Sequence, residues 1–266
     1  MATLATSEEL ISKRDPEHHV TAEPCAKWLR VMHNGEYIAD SKRVLLLHET
    51  GHVPVYYFPK EDVRTDLMEA TDHITQCPYK GDASYRTLKV GDAVVENAVW
   101  AYTEPMPDCP DIANYVAFYW SKVDHWFEED EEVYVHARDP HKRVDVISST
   151  RNVRVVVGGK TVAETDRPTL LFETGMPVRY YIPVTDVRVD LLEPSEKITR
   201  CPYKGEAHYY SVKGVEDGGD LAWYYRYPTP EAIKVANMVS FFNERVDSIH
   251  IDGELQEKPV TRWSKK

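Results

Sequence analysis

The chain has 266 residues, with 32 Lys and Arg against 44 Asp and Glu, so its formal charge is 32 − 44 = −12. A field of that sign repels phosphate backbones and anionic lipid, which argues against a nucleic-acid or membrane partner. No apolar run approaches the roughly 20 residues that cross a bilayer, and the polar opening from Met1 to Pro24 lacks the apolar stretch of a signal peptide, so a cytoplasmic protein is expected.

Residues 1–25 show no clear period and read as a mobile or surface-draped extension. Leu29 to His33, an Asn34-Gly35 turn and Tyr37-Ile38-Ala39 then give a hairpin signal. Strands are expected over 44–49, 53–58, 83–90 and 94–102, punctuated by Gly and Pro. Ile112, Tyr115, Val116, Tyr119, Val123 and Trp126 recur at three- and four-residue steps behind Asp108 and Pro110, which predicts a helix. The charged segment 136–150 reads as an ordered linker, since a flexible one favours Gly and Ser. A second hairpin follows at 153–163, and Thr229-Pro230 opens a second helix through Ile233, Val235, Ala236, Val239 and Phe242. The expected order is therefore an extension (1–25), a first repeat (26–135), the linker (136–150), a second repeat (151–255) and a tail (256–266). The fold class is mainly β with one C-terminal α-helix per repeat.

The two halves repeat each other. Glu49-Thr50-Gly51 recurs as Glu173-Thr174-Gly175, Tyr56-Tyr57 as Tyr180-Tyr181, and Asp62-Val63-Arg64 as Asp186-Val187-Arg188, all 124 residues on. Cys77-Pro78-Tyr79-Lys80-Gly81 recurs as Cys201-Pro202-Tyr203-Lys204-Gly205 at the same offset, after which the offset is 123. Tandem duplication supplies a control, because a residue that the chemistry requires should survive in both copies. Cys77 and Cys201 are equivalent positions in separate repeats, so a framework disulfide between them is not expected, and reduced thiols fit better.

These motifs resemble the DUF427 family in a two-domain form, over nearly the whole chain. The resemblance implies compact antiparallel β-barrel or β-tent-like domains around a pocket. It also carries a nucleotidyltransferase label.

His48-Glu49-Thr50-Gly51-His52 matches H-E-x-x-H, the zinc protease pattern, but that chemistry needs both His on one helical face. Here the pattern follows a strand and contains Gly, and the second copy has Phe172 and Met176 in place of the two His. No metal and no cofactor are expected. Glu49 and Glu173 can instead act as general acid or base, or can accept backbone N–H bonds from the turn that follows. In the Cys-Pro-Tyr-Lys-Gly loop, Lys80 and Lys204 either line a pocket or pair with Glu49 or Asp66 and their duplicates; Cys77 and Cys201 are reactive thiols or small core residues. Asp62 and Asp66, if on a strand, stand about 13 Å apart, too far to share a metal, and with Arg64 they equally suit a structural ion-pair network. Trp100 and Trp223 line a cavity or fill a core.

The resulting candidates are Glu49, Lys80, Glu173 and Lys204 for catalysis. Tyr56, Arg64, Cys77, Tyr79 and Trp100, with Tyr180, Arg188, Cys201, Tyr203 and Trp223, are the candidates for contact with a small anionic or carbonyl-bearing molecule. A metal-independent acid–base enzyme, a binding module that merely holds an anion, and a nucleotidyltransferase are the alternatives.

Overall fold

Asn34 and Gly35 both take left-handed φ, 46° and 79°, as do Gly158 (60°) and Gly159 (71°) at the matching turn. Two consecutive positive φ values fit the right-handed strand twist of a tight hairpin, which is why Asn-Gly and Gly-Gly stand there. In this computed structural model, which describes residues 5–264, the chain divides into two units that meet between Asp139 and Pro140. The first comprises β1 (Val20–Pro24), β2 (Leu29–His33), β3 (Glu36–Ser41), β4 (Leu45–Glu49), β5 (Val55–Pro59), β6 (Met68–Cys77), β7 (Gly81–Val90), β8 (Ala93–Ala101), β9 (Tyr115–Phe118), β10 (His125–Glu128) and β11 (Glu131–Val133). The second comprises β12 (Val144–Ser148), β13 (Val153–Val157), β14 (Lys160–Thr165), β15 (Thr169–Glu173), β16 (Arg179–Pro183), β17 (Leu192–Cys201), β18 (Gly205–Val212), β19 (Ala222–Pro228), β20 (Met238–Phe241), β21 (Ser248–Ile251) and β22 (Glu254–Leu255).

Each unit holds a seven-stranded antiparallel sheet, ordered β1-β4-β5-β9-β8-β7-β6 in the first and β12-β15-β16-β20-β19-β18-β17 in the second. A four-stranded sheet accompanies it, β11-β10-β2-β3 or β22-β21-β13-β14. The registers match across the duplication: Val20 faces Glu49 as Val144 faces Glu173, and Cys77 faces Gly81 as Cys201 faces Gly205. The barrel that the family resemblance implies does not close, because β1 and β6 remain the two ends of their sheet.

The large sheet is apolar on both faces. In the first unit Tyr56, Phe58, Leu88, Val99, Val116 and Phe118 join Leu29, Val31 and Trp126 of the small sheet in the main core. The alternate residues Leu47, Tyr57, Ala83, Tyr85 and Ala117 form a second cluster on the opposite face, with Trp100 and Cys77 against it. Alternation with period two accounts for the split. Each fully buried side chain of this size stabilises by roughly 1.5–3 kcal/mol.

The helix expected in each repeat is replaced by strands. Ile112 is buried ahead of β9, Trp120–Lys122 is a single 3-10 turn, and β10 begins at His125. Tertiary pairing explains the difference: β9 fills the space between β5 and β8, and β20 that between β16 and β19, satisfying backbone groups that a helix would leave open. Asp108 does not cap a helix but pairs with Arg14. Thr229 does precede Pro230, yet only a short 3-10 segment, Pro230–Val235, follows, and its hydroxyl donates to the Tyr203 carbonyl at 2.6 Å. The N-terminal extension is also more ordered than expected: it contributes β1, paired with β4, and a short helix, Ser7–Ile11, with a Thr6/Glu9 capping box. Residues 144–148 of the expected linker form β12 in the same way. Among the described residues no helix is long and apolar enough to cross a membrane.

Candidate functional site

Glu49 ends β4 and Lys80 sits in the turn between β6 and β7, where Gly81 takes a φ of 95°. Only glycine tolerates such a φ without strain, so the loop fixes the lysine backbone from both sides, with Pro78 before it. The Lys80 ammonium donates to Glu49 Oε2, and both side chains are buried, 8 % and 12 % exposed. The second repeat builds the same pair from Lys204 and Glu173 Oε2, at 14 % and 9 %. Of the two lysine readings from the sequence, the structure shows the ion pair: each lysine is the partner of its glutamate and is buried.

What meets the other carboxylate oxygen differs. In repeat one His18 Nε2 lies 3.1 Å from Glu49 Oε1, and the imidazole stacks on Tyr79 with ring centroids 3.8 Å apart and planes 9° from parallel. In repeat two Lys142 Nζ lies 3.9 Å from Glu173 Oε1 and 5.8 Å from the Tyr203 ring centroid. His18 and Lys142 are 124 residues apart, so they occupy the same place in the duplication. Neither was among the sequence candidates; extending the constant offset upstream of Glu49 is the signal that finds them.

Burial pushes the Glu49 carboxyl up, and the hydrogen bonds and charge of Lys80, with His18 and His52, outweigh it, leaving the group below its ordinary value of 4.5. Glu49 is thus a carboxylate at neutral pH. The phenols around it behave oppositely. Burial raises Tyr57 and Tyr102 far above 10, as it does Tyr181 and Tyr225 in the duplicate, so they remain neutral donors.

The remaining candidates separate by strand parity. Tyr57, not Tyr56, shares the face of the pair: the Trp100 indole donates to its hydroxyl at 3.3 Å, and Trp223 donates to Tyr181 at 3.1 Å. Tyr56 points into the main core and donates to Glu128 at 2.7 Å, while Tyr180 packs against the equivalent core of repeat two. The Tyr pair was legible, but which member faces the site depends on register. Lys80 Nζ stands 5.7 Å from the Tyr102 ring centroid. Cys77 packs half-buried beside this aromatic cluster, and Cys201 ends β17 opposite Gly205. The nearby Cys109 thiol is pushed up to about 11 by burial.

Arg64 lies outside the site, making a bidentate pair with Asp66 at 2.8 and 2.6 Å; Arg188 and Asp190 repeat it at the same distances. Asp62 accepts from Ser41 at 2.6 Å and from Arg43 at 2.5 Å. The Asp pairs are thus each taken up by separate guanidinium groups. His48 bonds Glu23 at 3.0 Å from β4, whereas His52 lies beyond it and contacts the Thr50 carbonyl at 3.0 Å, so H-E-x-x-H is presented on a strand and turn and not on a helix.

In repeat two the glutamate borders an open concavity of about 270 Å³ lined by Arg143, Asp145, Phe172, Glu173, Thr174 and Met176. Arg143 pairs with Asp145 in its lining, and Lys204 and Lys142 reach Glu173, so three cations stand around these two carboxylates.

The chain belongs to the family described as Domain of unknown function (DUF427), whose model matches residues 21–129 and 145–252. No curated protein matches it.

Proposed function

We propose that the Glu173–Lys204 pair is the working site of the protein and moves a proton on a small anionic or carbonyl-bearing molecule, using its own side chains and no metal. The observation that carries this reading is a buried ion pair, kept in both repeats, whose carboxylate in repeat two also borders a concavity. Glu173 takes the proton, Lys204 stabilises the negative charge that develops, and Lys142 and Arg143 attract the anion. Phe172 and Met176 contact its carbon skeleton. Positive local balance within a chain of net charge −12 supports an anionic ligand of small size over a polyanion. Four unpaired cysteines support a reducing, cytoplasmic setting.

The test is exchange of the methyl protons of pyruvate and related 2-oxo acids with D2O, followed by NMR. Wild-type protein should accelerate the exchange, and Glu173→Gln should lower it by roughly 10²–10⁴-fold while binding persists. Saturable binding with no exchange in the wild type identifies an anion-holding module instead; neither binding nor exchange removes the site.

A further inference from the structure

A second ligand site follows from what covers the aromatic residues in each repeat. In repeat two Trp223 packs on Phe242 at 4.6 Å between ring centroids, and Phe242 stacks on Tyr209 at 6.5 Å with planes 13° apart. The chain fills the remaining side of this shelf with its own tail: the Trp263 ring lies 6.2 Å from Phe242, and the Arg179 guanidinium stands 5.5 Å from the Trp263 centroid. The tail is fixed there because Thr261 donates to Glu244 at 2.7 Å, and Glu244 receives both guanidinium nitrogens of Arg179 at 2.7 Å. Trp223 and Phe242 are consequently 7 % exposed.

Among the described residues, repeat one has the same shelf without the cover. Trp100 packs on Tyr119 at 4.5 Å, and Tyr119 stacks on Tyr85 at 6.5 Å with planes 10° apart. Even the cation over the ring is kept, as Lys122 at 5.2 Å from the Tyr119 centroid and Arg245 at 5.6 Å from that of Phe242. The covering residues are not kept: Val55 stands where repeat two has Arg179, Ser121 where it has Glu244, and Pro140 where it has Trp263. Tyr119 is accordingly 37 % exposed and Trp100 only half-buried.

We propose that the repeat-one shelf binds a planar aromatic ring of a small molecule, in the place that Trp263 fills in repeat two. The duplicate shows what such a surface takes: an indole set at an angle against the ring that tops the shelf. Along its floor Thr75 Oγ1 is 2.8 Å from the Tyr85 hydroxyl, which is 3.5 Å from that of Tyr119, so a line of hydroxyls can exchange hydrogen bonds with a ring N–H or O–H. Indoles and phenols fit that chemistry better than a bare hydrocarbon. The site is in the other repeat from Glu173, so either can fail while the other stands.

Indole itself is the probe, followed by equilibrium dialysis and by NMR saturation transfer to the full-length protein. One indole should bind per chain. Tyr119→Ala, at an exposed position, should weaken binding by about tenfold, whereas Tyr119→Phe, which installs the residue of repeat two, should keep it. Trp263→Ala uncovers the second shelf and should raise the stoichiometry toward two, or, if it loosens repeat two, indole should restore that repeat's melting temperature. Absence of saturable binding to the wild type, or binding undiminished in Tyr119→Ala, overturns the proposal.

Discussion

In repeat one His18 meets the second oxygen of Glu49, and the aromatic shelf is open, with Tyr119 37 % exposed. In repeat two Lys142 takes the place of His18 beside Glu173, which borders a concavity, while Trp263 and Arg179 cover the shelf. Sheet order and the glutamate–lysine pair are the same in both. Duplication has therefore preserved the frame and one buried ion pair, while the residue at the second carboxylate oxygen and the cover of the shelf differ. The pair resists change for a physical reason. Removing one member leaves a buried charge without compensation, whereas His and Lys can replace each other at the second oxygen because each supplies a donor.

The sharpest test of the difference is the buried pair that only repeat two has. Arg179→Ala leaves Glu244, 0 % exposed, without its guanidinium, and should destabilise repeat two by about 3–5 kcal/mol in urea unfolding. The double change Arg179→Val with Glu244→Ser, which copies repeat one, should recover much of that loss. If the double variant is no more stable than the single one, the contrast between a charged and an apolar cover is not the one drawn above.

Lys80→Met and Lys204→Met probe the pair that both repeats share. Each should cost about 3 kcal/mol, since the methionine fills the space of the stem but leaves the carboxylate unpaired, and each loss should fall on its own repeat in a two-transition melt. Equal small losses, near those of surface substitutions, mean that the ion pair contributes nothing to either fold.

A smaller effect is expected from pH at Glu49. The Glu49 carboxyl lies below 4.5 when folded, so its contribution is complete above that value and fades as pH falls through the folded one. Stability of repeat one, followed by urea midpoints between about pH 3 and 6, should decline on the acid side, and Glu49→Gln should flatten the part due to this group. The smallest expected effect is at Arg64, whose pair with Asp66 is open to solvent in both partners. Arg64→Ala should leave unfolding midpoint and ligand binding unchanged, and a change in binding would return that arginine to the site.

Much of the frame is legible in the chain because it rests on local chemistry. Asn34-Gly35 and Gly158-Gly159 mark turns whose φ values only such residues favour, and strand alternation follows from the apolar spacing. Segments 112–126 and 230–242 were misleading for an equally concrete reason. Residues at three- and four-residue steps also arise when two short strands flank a turn, and what decides between these is an open sheet position far away in sequence. Tyr56 and Tyr57 could not be ranked either, because one residue of register exchanges the faces.

The sequence by itself determined the duplication, the equivalence of Glu49 with Glu173 and of Lys80 with Lys204, and the mainly β class, since each is written in spacing or in local conformational preference. Tertiary structure alone decided that these acids and lysines meet 31 residues apart, that His18 and Lys142 complete them, and that Trp263 returns to cover the second shelf. Those contacts depend on strand order and on where the chain ends are fixed, and both are set by how the whole sheet buries its two faces.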